Sequence, residues 1–119
     1  MKIIQIKELL DCECITGEEL LDQEIEAGFG CDLMSDVLAF MKEKTMLLTG
    51  LTNPQVIRTA EMVDINAITF VRGKRPPVET IALAKKNNIV LLLTEHTLYT
   101  ACGILYMNGL KGLTASRKE

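Results

Sequence analysis

The hydrophobic pattern of this chain changes period partway along. Residues 45–49 (TMLLT), 67–71 (AITFV) and 89–93 (IVLLL) are short apolar runs without the alternation that a water-facing side would impose, so they predict fully buried strands of a parallel sheet. Helical periods separate them. Pro54 stands at a favoured first helical position with Asn53 as its cap, and Val56, Ile57, Ala60 and Val63 make a sheet-facing stripe. Pro76-Pro77 opens a second helix in which Val78, Ile81, Ala82 and Leu83 are expected to bury, while Lys85 and Lys86 complement its C-terminal dipole. A third helix is predicted over residues 98–107, after the polar turn Thr94, Glu95, His96 and Thr97, and Asn108-Gly109 ends it. Ahead of the first run, Asp32 reads as the N-cap of a helix over 33–42 with Leu33, Val37, Leu38 and Met41 on one side.

The first thirty residues follow a different rhythm. Ile3, Ile4, Ile6, Leu9 and Leu10 fit a short edge strand running into one or two helical turns. ECIT at 13–16 is strand-like, Gly17 breaks it before a brief helix or turn over 18–21, and residues 23–29 alternate like a half-exposed strand. The expected fold is α/β, a mostly parallel sheet with helices on both faces plus a small N-terminal β-rich subregion. One domain spans residues 1–119, with 111–119 as a charged, mobile tail. Right-handed crossovers should then bring the turns at 49–53, 71–75 and 94–97 to one end of the sheet, gathered into a single recess.

At 119 residues the chain buries roughly two-thirds of its unfolded surface. The opening MKIIQIKELL lacks the pattern of a secretory leader, so the expected compartment is a reducing cytoplasm, with Cys12, Cys14, Cys31 and Cys102 as free thiols. No apolar run approaches the ~20 residues of a membrane span. A net charge of -3, with 16 acidic against 13 basic residues, argues against nucleic acid as a partner, and the absence of Trp removes a stacking platform.

Candidate chemistry falls on the strand-end turns. Arg72, Gly73, Lys74 and Arg75 place three cations just before a helix start, where free N–H groups and the dipole favour an anion; solvated side chains at a surface turn are the plainer alternative. Thr49 and Asn53 on the first turn, and Thr94, His96 and Thr97 on the third, complete the ligand-binding set. His96 could serve as a general base, but no nucleophile with an orienting carboxylate pairs with it, and local backbone capping explains it equally. Without a Walker motif, a G-x-G-x-x-G fingerprint or an acidic metal cluster, the chain is expected to bind rather than turn over, with no cofactor. The cysteines lack the paired spacing of zinc or iron–sulfur sites and read as small buried hydrophobes. The helix at 98–107 is apolar nearly all round: Leu98, Ala101, Cys102 and Leu105 form one stripe, while Tyr99, Tyr106 and Met107 fall off it. Leu98, Tyr99, Tyr106 and Met107 are therefore the candidate interface of a homodimer, unless the N-terminal subregion covers that helix.

Three stretches, GFGCDLMSDVLAF, LLTGLTNPQVIRTA and ITFVRGKRPPVETIALAKKNNIVLLLTEHTLYTA, resemble the DRTGG domain family, whose fold is shared with the N-terminal domain of HPr kinase. The resemblance covers about residues 3–110. It is strongest to short stand-alone members found beside iron-only hydrogenase subunits in anaerobic bacteria, which carry an Asp-Leu-x-Ser-Asp helix start, here Asp32, Leu33, Ser35 and Asp36. Other members are accessory modules on phosphotransacetylases and CBS-domain pyrophosphatases. The naming residues differ: Thr52-Asn53 stands where the family has Asp-Arg, and Val71-Arg72-Gly73 where it has Thr-Gly-Gly, while His96 and Thr97 fall on its acidic residue and threonine. The resemblance implies a non-catalytic, regulatory or dimerising domain. Joined to the residues, it predicts a homodimeric sensor of a small anionic ligand, with a nucleotide as a candidate, linked to hydrogenase regulation with a hydrogenase subunit as partner. The alternative is a protein-interaction adaptor for a redox enzyme, without a small ligand.

Overall fold

Three apolar runs form the middle of the sheet, as their lack of alternation requires. In the computed structural model, which describes residues 1–114, β3 (Thr45–Thr49), β4 (Ala67–Phe70) and β5 (Val90–Leu93) are buried at every position. They pair in parallel, with Leu47 beside Ile68 and Ile68 beside Leu91. β1 (Glu13–Thr16) lies antiparallel on the outer side of β5, and β2 (Ala27–Gly30) continues the parallel set beside β3. The strands expected as an N-terminal β-rich subregion thus belong to the same sheet, on opposite sides of its centre. β6 (Lys111–Gly112) closes the far edge and completes the order β1-β5-β4-β3-β2-β6. That placement corrects the expected tail: Lys111 and Gly112 are in the sheet, and residues 115–119 lie outside the described residues.

Alternate side chains along the buried strands enter two cores. On one face, α2 (Met34–Phe40), α3 (Pro54–Met62) and α4 (Val78–Lys86) supply Val37, Val56, Ile57, Ala60 and Ala84 against Leu47, Ile68, Phe70 and Leu91. On the other, α1 (Ile3–Leu9) and α5 (Leu98–Met107) supply Ile3, Ile6, Ala101 and Leu105 against Met46, Leu48, Val90 and Leu92. α5 sits close on β2 because Gly30 has no side chain: a Cβ there would lie 2.6 Å from the Cys102 sulfur.

Several local expectations change. The expected N-terminal edge strand is reduced to a single antiparallel bridge of Lys2 to Glu24, and the helical turns expected after it are α1, its chain entry tied by the Ile3 and Ile4 N–H groups to Gln23 O and Leu21 O. On α2 only Val37 of the expected stripe is buried, and Leu33 and Leu38 are exposed. In α4 the buried positions are Thr80 and Ala84 rather than Val78 and Ala82; the Thr80 hydroxyl donates to Thr52 O at 2.7 Å, which turns that side inward. Asn53 caps α3 as expected, accepting from the Gln55 N–H at 3.0 Å with Pro54 next to it.

Candidate functional site

β4 and β5 are neighbours, yet the helices that follow them go to opposite faces: α4 joins the core shared with α2 and α3, and α5 joins α1. Parallel strands whose connections part in this way mark the topological switch point, where open α/β sheets bind ligands beyond their carboxyl ends. The turns at 71–75 and 94–97 stand there. The turn at 49–53 is one strand further along, and Glu13, paired with Leu93 in the antiparallel β1, is at the same pole.

The cationic loop leans across the end of β5. Arg72 and Gly73 both take left-handed backbones, with φ of 64° and 61°, and their N–H groups donate to His96 O at 2.8 Å and Thr94 O at 2.9 Å. Glycine suits 73 because of its positive φ; a Cβ there would lie 2.6 Å from a Glu95 carboxylate oxygen, the end of an exposed side chain that can move aside. The Arg72 guanidinium reaches back over β3 and donates to Gly50 O at 3.3 Å. Arg75 turns the other way, its two terminal nitrogens donating to both oxygens of Glu13 at 2.9 and 2.8 Å. The row of cations therefore runs from β1 to β3, three strand spacings or roughly 14 Å. That paired geometry holds the Glu13 carboxyl below its ordinary range and raises Arg75, chiefly through the hydrogen bonds between them. Lys74 is exposed and makes no ion pair among the described residues.

Two threonines in the expected ligand set hold the end of the sheet together. Thr94 is buried; its hydroxyl donates to Leu10 O at 2.7 Å and accepts from the His96 N–H at 3.3 Å. Thr49, also buried, donates to Asp32 Oδ1 at 2.8 Å, and the Gly50 N–H donates to the same oxygen at 2.8 Å. Asp32 is thus not the cap of α2, a position held by Leu33; it joins the ends of β2 and β3. Sequence reasoning missed that role because its partners lie seventeen and eighteen positions downstream. Thr97 precedes α5 as its N-cap residue without a side-chain cap bond, and its hydroxyl reaches Thr100 at 3.4 Å. With no acidic residue in its first turn, α5 presents the positive end of its dipole to this pole beside the half-buried His96. Arg72, Lys74 and Arg75 are balanced here by Asp32, Glu95 and Glu13, so an anion would be held by local contacts rather than by a one-signed field.

The turns do gather, but they pack on one another. A cavity of about 870 Å³ opens at the opposite pole, beside the amino ends of β3, β4 and β5, with Ile25, Ile65 and Ile89 in its wall. Glu24, Glu43, Glu61 and Asp64 line it against a single cation, Lys44, a charge pattern that disfavours anions. At the carboxyl ends the Arg72 guanidinium donates to Gly50 O and the Gly73 N–H to Thr94 O, so the three turns are tied to one another there.

All four cysteines are free thiols. Burial pushes the Cys12 thiol up to about 12, against a smaller opposing pull from Lys7, and burial also raises Cys14 and Cys102. Among the described residues no group of His, Cys, Asp and Glu is arranged to hold a metal ion, and no helix is long and apolar enough to cross a membrane. On α5, Tyr99, Tyr106 and Met107 are 90%, 70% and 84% exposed, whereas Leu98 is half-buried toward β2.

Sheet order and the divergence of α4 and α5 define an open, mostly parallel α/β domain with a topological switch between β4 and β5. Comparison with solved structures makes this a DRTGG-like fold. The chain is similar to the crystal structure of the CBS and DRTGG domains of the regulatory region of Clostridium perfringens pyrophosphatase complexed with activator, diadenosine tetraphosphate, with a TM-score of 0.70 and 21% identity. The match covers 87% of this chain and 45% of that one, so the chain spans less than half of the region it resembles. No family model and no curated protein matches.

Proposed function

We propose that this chain is a non-catalytic regulatory module that binds a small anionic ligand of the nucleotide class at the carboxyl ends of β4 and β5. One observation carries the reading: at the switch point the turn leading into the uncapped amino end of α5 is bonded through His96 O and Thr94 O to the Arg72 and Gly73 N–H groups, which brings the cationic loop from β4 beside it. Arg75, His96 and Thr97 border that position, while Thr49, Asn53, Gly73 and Thr94 shape it. The nucleotide class is drawn from the pyrophosphatase region of similar fold, which is complexed with a dinucleotide activator. Melting the protein with ATP, AMP, diadenosine tetraphosphate and pyrophosphate tests the reading. A ligand at 100 times its dissociation constant adds ~2.7 kcal/mol, which for a domain of this size raises Tm by roughly 10 °C. Lys74→Ala should reduce the shift, and an unchanged melting curve with every anion contradicts the proposal.

The exposed Tyr99, Tyr106 and Met107 support a second reading, in which the outer face of α5 is a protein contact. A second copy of the chain is the simplest occupant and makes the module a homodimer. The helix start Asp32, Leu33, Ser35 and Asp36 supports an iron-only hydrogenase subunit as the alternative, with the chain as an adaptor. Sedimentation and co-purification separate the two, and Tyr106→Glu should abolish whichever contact forms.

A further inference from the structure

We propose that Glu13 is a built-in competitor for the ligand's anionic group, occupying Arg75 until that group displaces it, and that the ligand is a polyphosphate. The proposal rests on the anion-binding reading of the strand-end pole. Glu13 begins β1 opposite Leu93, at the end of β5, so its carboxylate stands on the rim where the loop at 71–75 ends. Its two oxygens take both terminal nitrogens of Arg75, the same planar fork by which arginine grips a phosphate. The side chains are 55% and 53% exposed, so water reaches both and the pair is weak and exchangeable rather than a buried lock. Sixty-two residues separate the partners, and the contact ties the first strand of the chain to the cationic loop.

The direction of the cations indicates the length of the ligand. Arg72 points toward β3, Arg75 toward β1, and Lys74 lies between them in the chain without an ion pair among the described residues. A single phosphate reaches one of these; a chain of phosphates laid along the sheet end reaches Lys74 and Arg75 together once Glu13 lets go.

Calorimetric titration of the full chain with inorganic tripolyphosphate, ATP and AMP tests this. An exposed pair of this kind biases its closed form by a factor of about 1.4 to 5, so Glu13→Gln should bind tripolyphosphate and ATP about two- to sixfold more tightly, and Arg75→Gln less tightly than wild type. Removing a negative charge could by itself favour an anion, so Glu13→Gln is also made in the Arg75→Gln background. Competition predicts no gain there; the same gain in both backgrounds overturns the proposal. Binding by wild type with Glu13→Gln neutral or weaker overturns it too, and leaves the anion-binding reading intact. AMP binding as tightly as tripolyphosphate contradicts the polyphosphate assignment. A silent wild type with a binding Glu13→Gln variant supports the competitor directly, and silence in both removes this inference together with the reading beneath it.

Discussion

Replacing Asp32 by serine separates two roles for one residue. As the cap of α2, Asp32 could be exchanged for serine at little cost, because both are favoured N-cap residues. As the bridge between β2 and β3 it could not, since a serine hydroxyl is too short to reach the Thr49 hydroxyl and the Gly50 N–H that Asp32 Oδ1 accepts at 2.8 Å each. Thr49 is fully buried, so its donor would lose its acceptor at a cost of ~1–3 kcal/mol, with ~1 kcal/mol more for the bond from Gly50. Some recovery through water at the exposed aspartate position sets the expected loss at about 2–3 kcal/mol. For a chain of this length that lowers Tm by roughly 8–12 °C. Asp32→Asn retains the accepting oxygen and should lose under ~1 kcal/mol. Urea unfolding of the three proteins measures this directly. Serine within ~0.5 kcal/mol of wild type would refute the bridge and restore the capping role.

Two further perturbations test the packing behind that rim. The Cys12 thiol is raised by burial from 9.0 to about 12, so the folded chain holds its proton more firmly than the unfolded chain. The resulting stability is complete below pH 9 and is lost as the pH rises from 9 toward 12; Cys12→Ala should flatten the fall in urea midpoint over pH 8–10.5, and parallel curves would contradict it. Gly30→Ala brings a Cβ within 2.6 Å of the Cys102 sulfur and should cost ~1–3 kcal/mol, with Cys102→Ala relieving part of that loss in the double variant. Strictly additive losses would show that α5 does not press on β2 there.

What the sequence disclosed followed the range of the forces involved. The runs at 45–49, 67–71 and 89–93 announced the buried strands because burial on both faces is written into consecutive residues, and Asn53-Pro54 announced the start of α3 because a cap acts over two positions. Parallel order then placed three turns at one pole without further information. Contacts between distant segments were not readable in this way. Asp32 stood before a helix and looked like its cap; Arg75 looked like a free cation until Glu13 was found beside it; Thr94 looked available although Leu10 O holds its hydroxyl. Periodicity also failed on α4, where Thr80, whose hydroxyl donates to Thr52 O, and Ala84 face the core while Val78 is left exposed. Lys111 and Gly112 carry no strand signature, and their pairing with β2 comes from where α5 delivers the chain.

The position of the binding site can be read residue by residue from amide chemical shifts during titration with ATP or diadenosine tetraphosphate. A site at the β4–β5 switch predicts the largest shifts at Arg72, Lys74, Thr97 and Tyr99, with Lys44, Asp64 and Asn88 at the opposite pole unmoved. Shifts confined to Lys44, Asp64 and Asn88 would put the ligand in the 870 Å³ cavity and contradict the assignment of the strand-end turns.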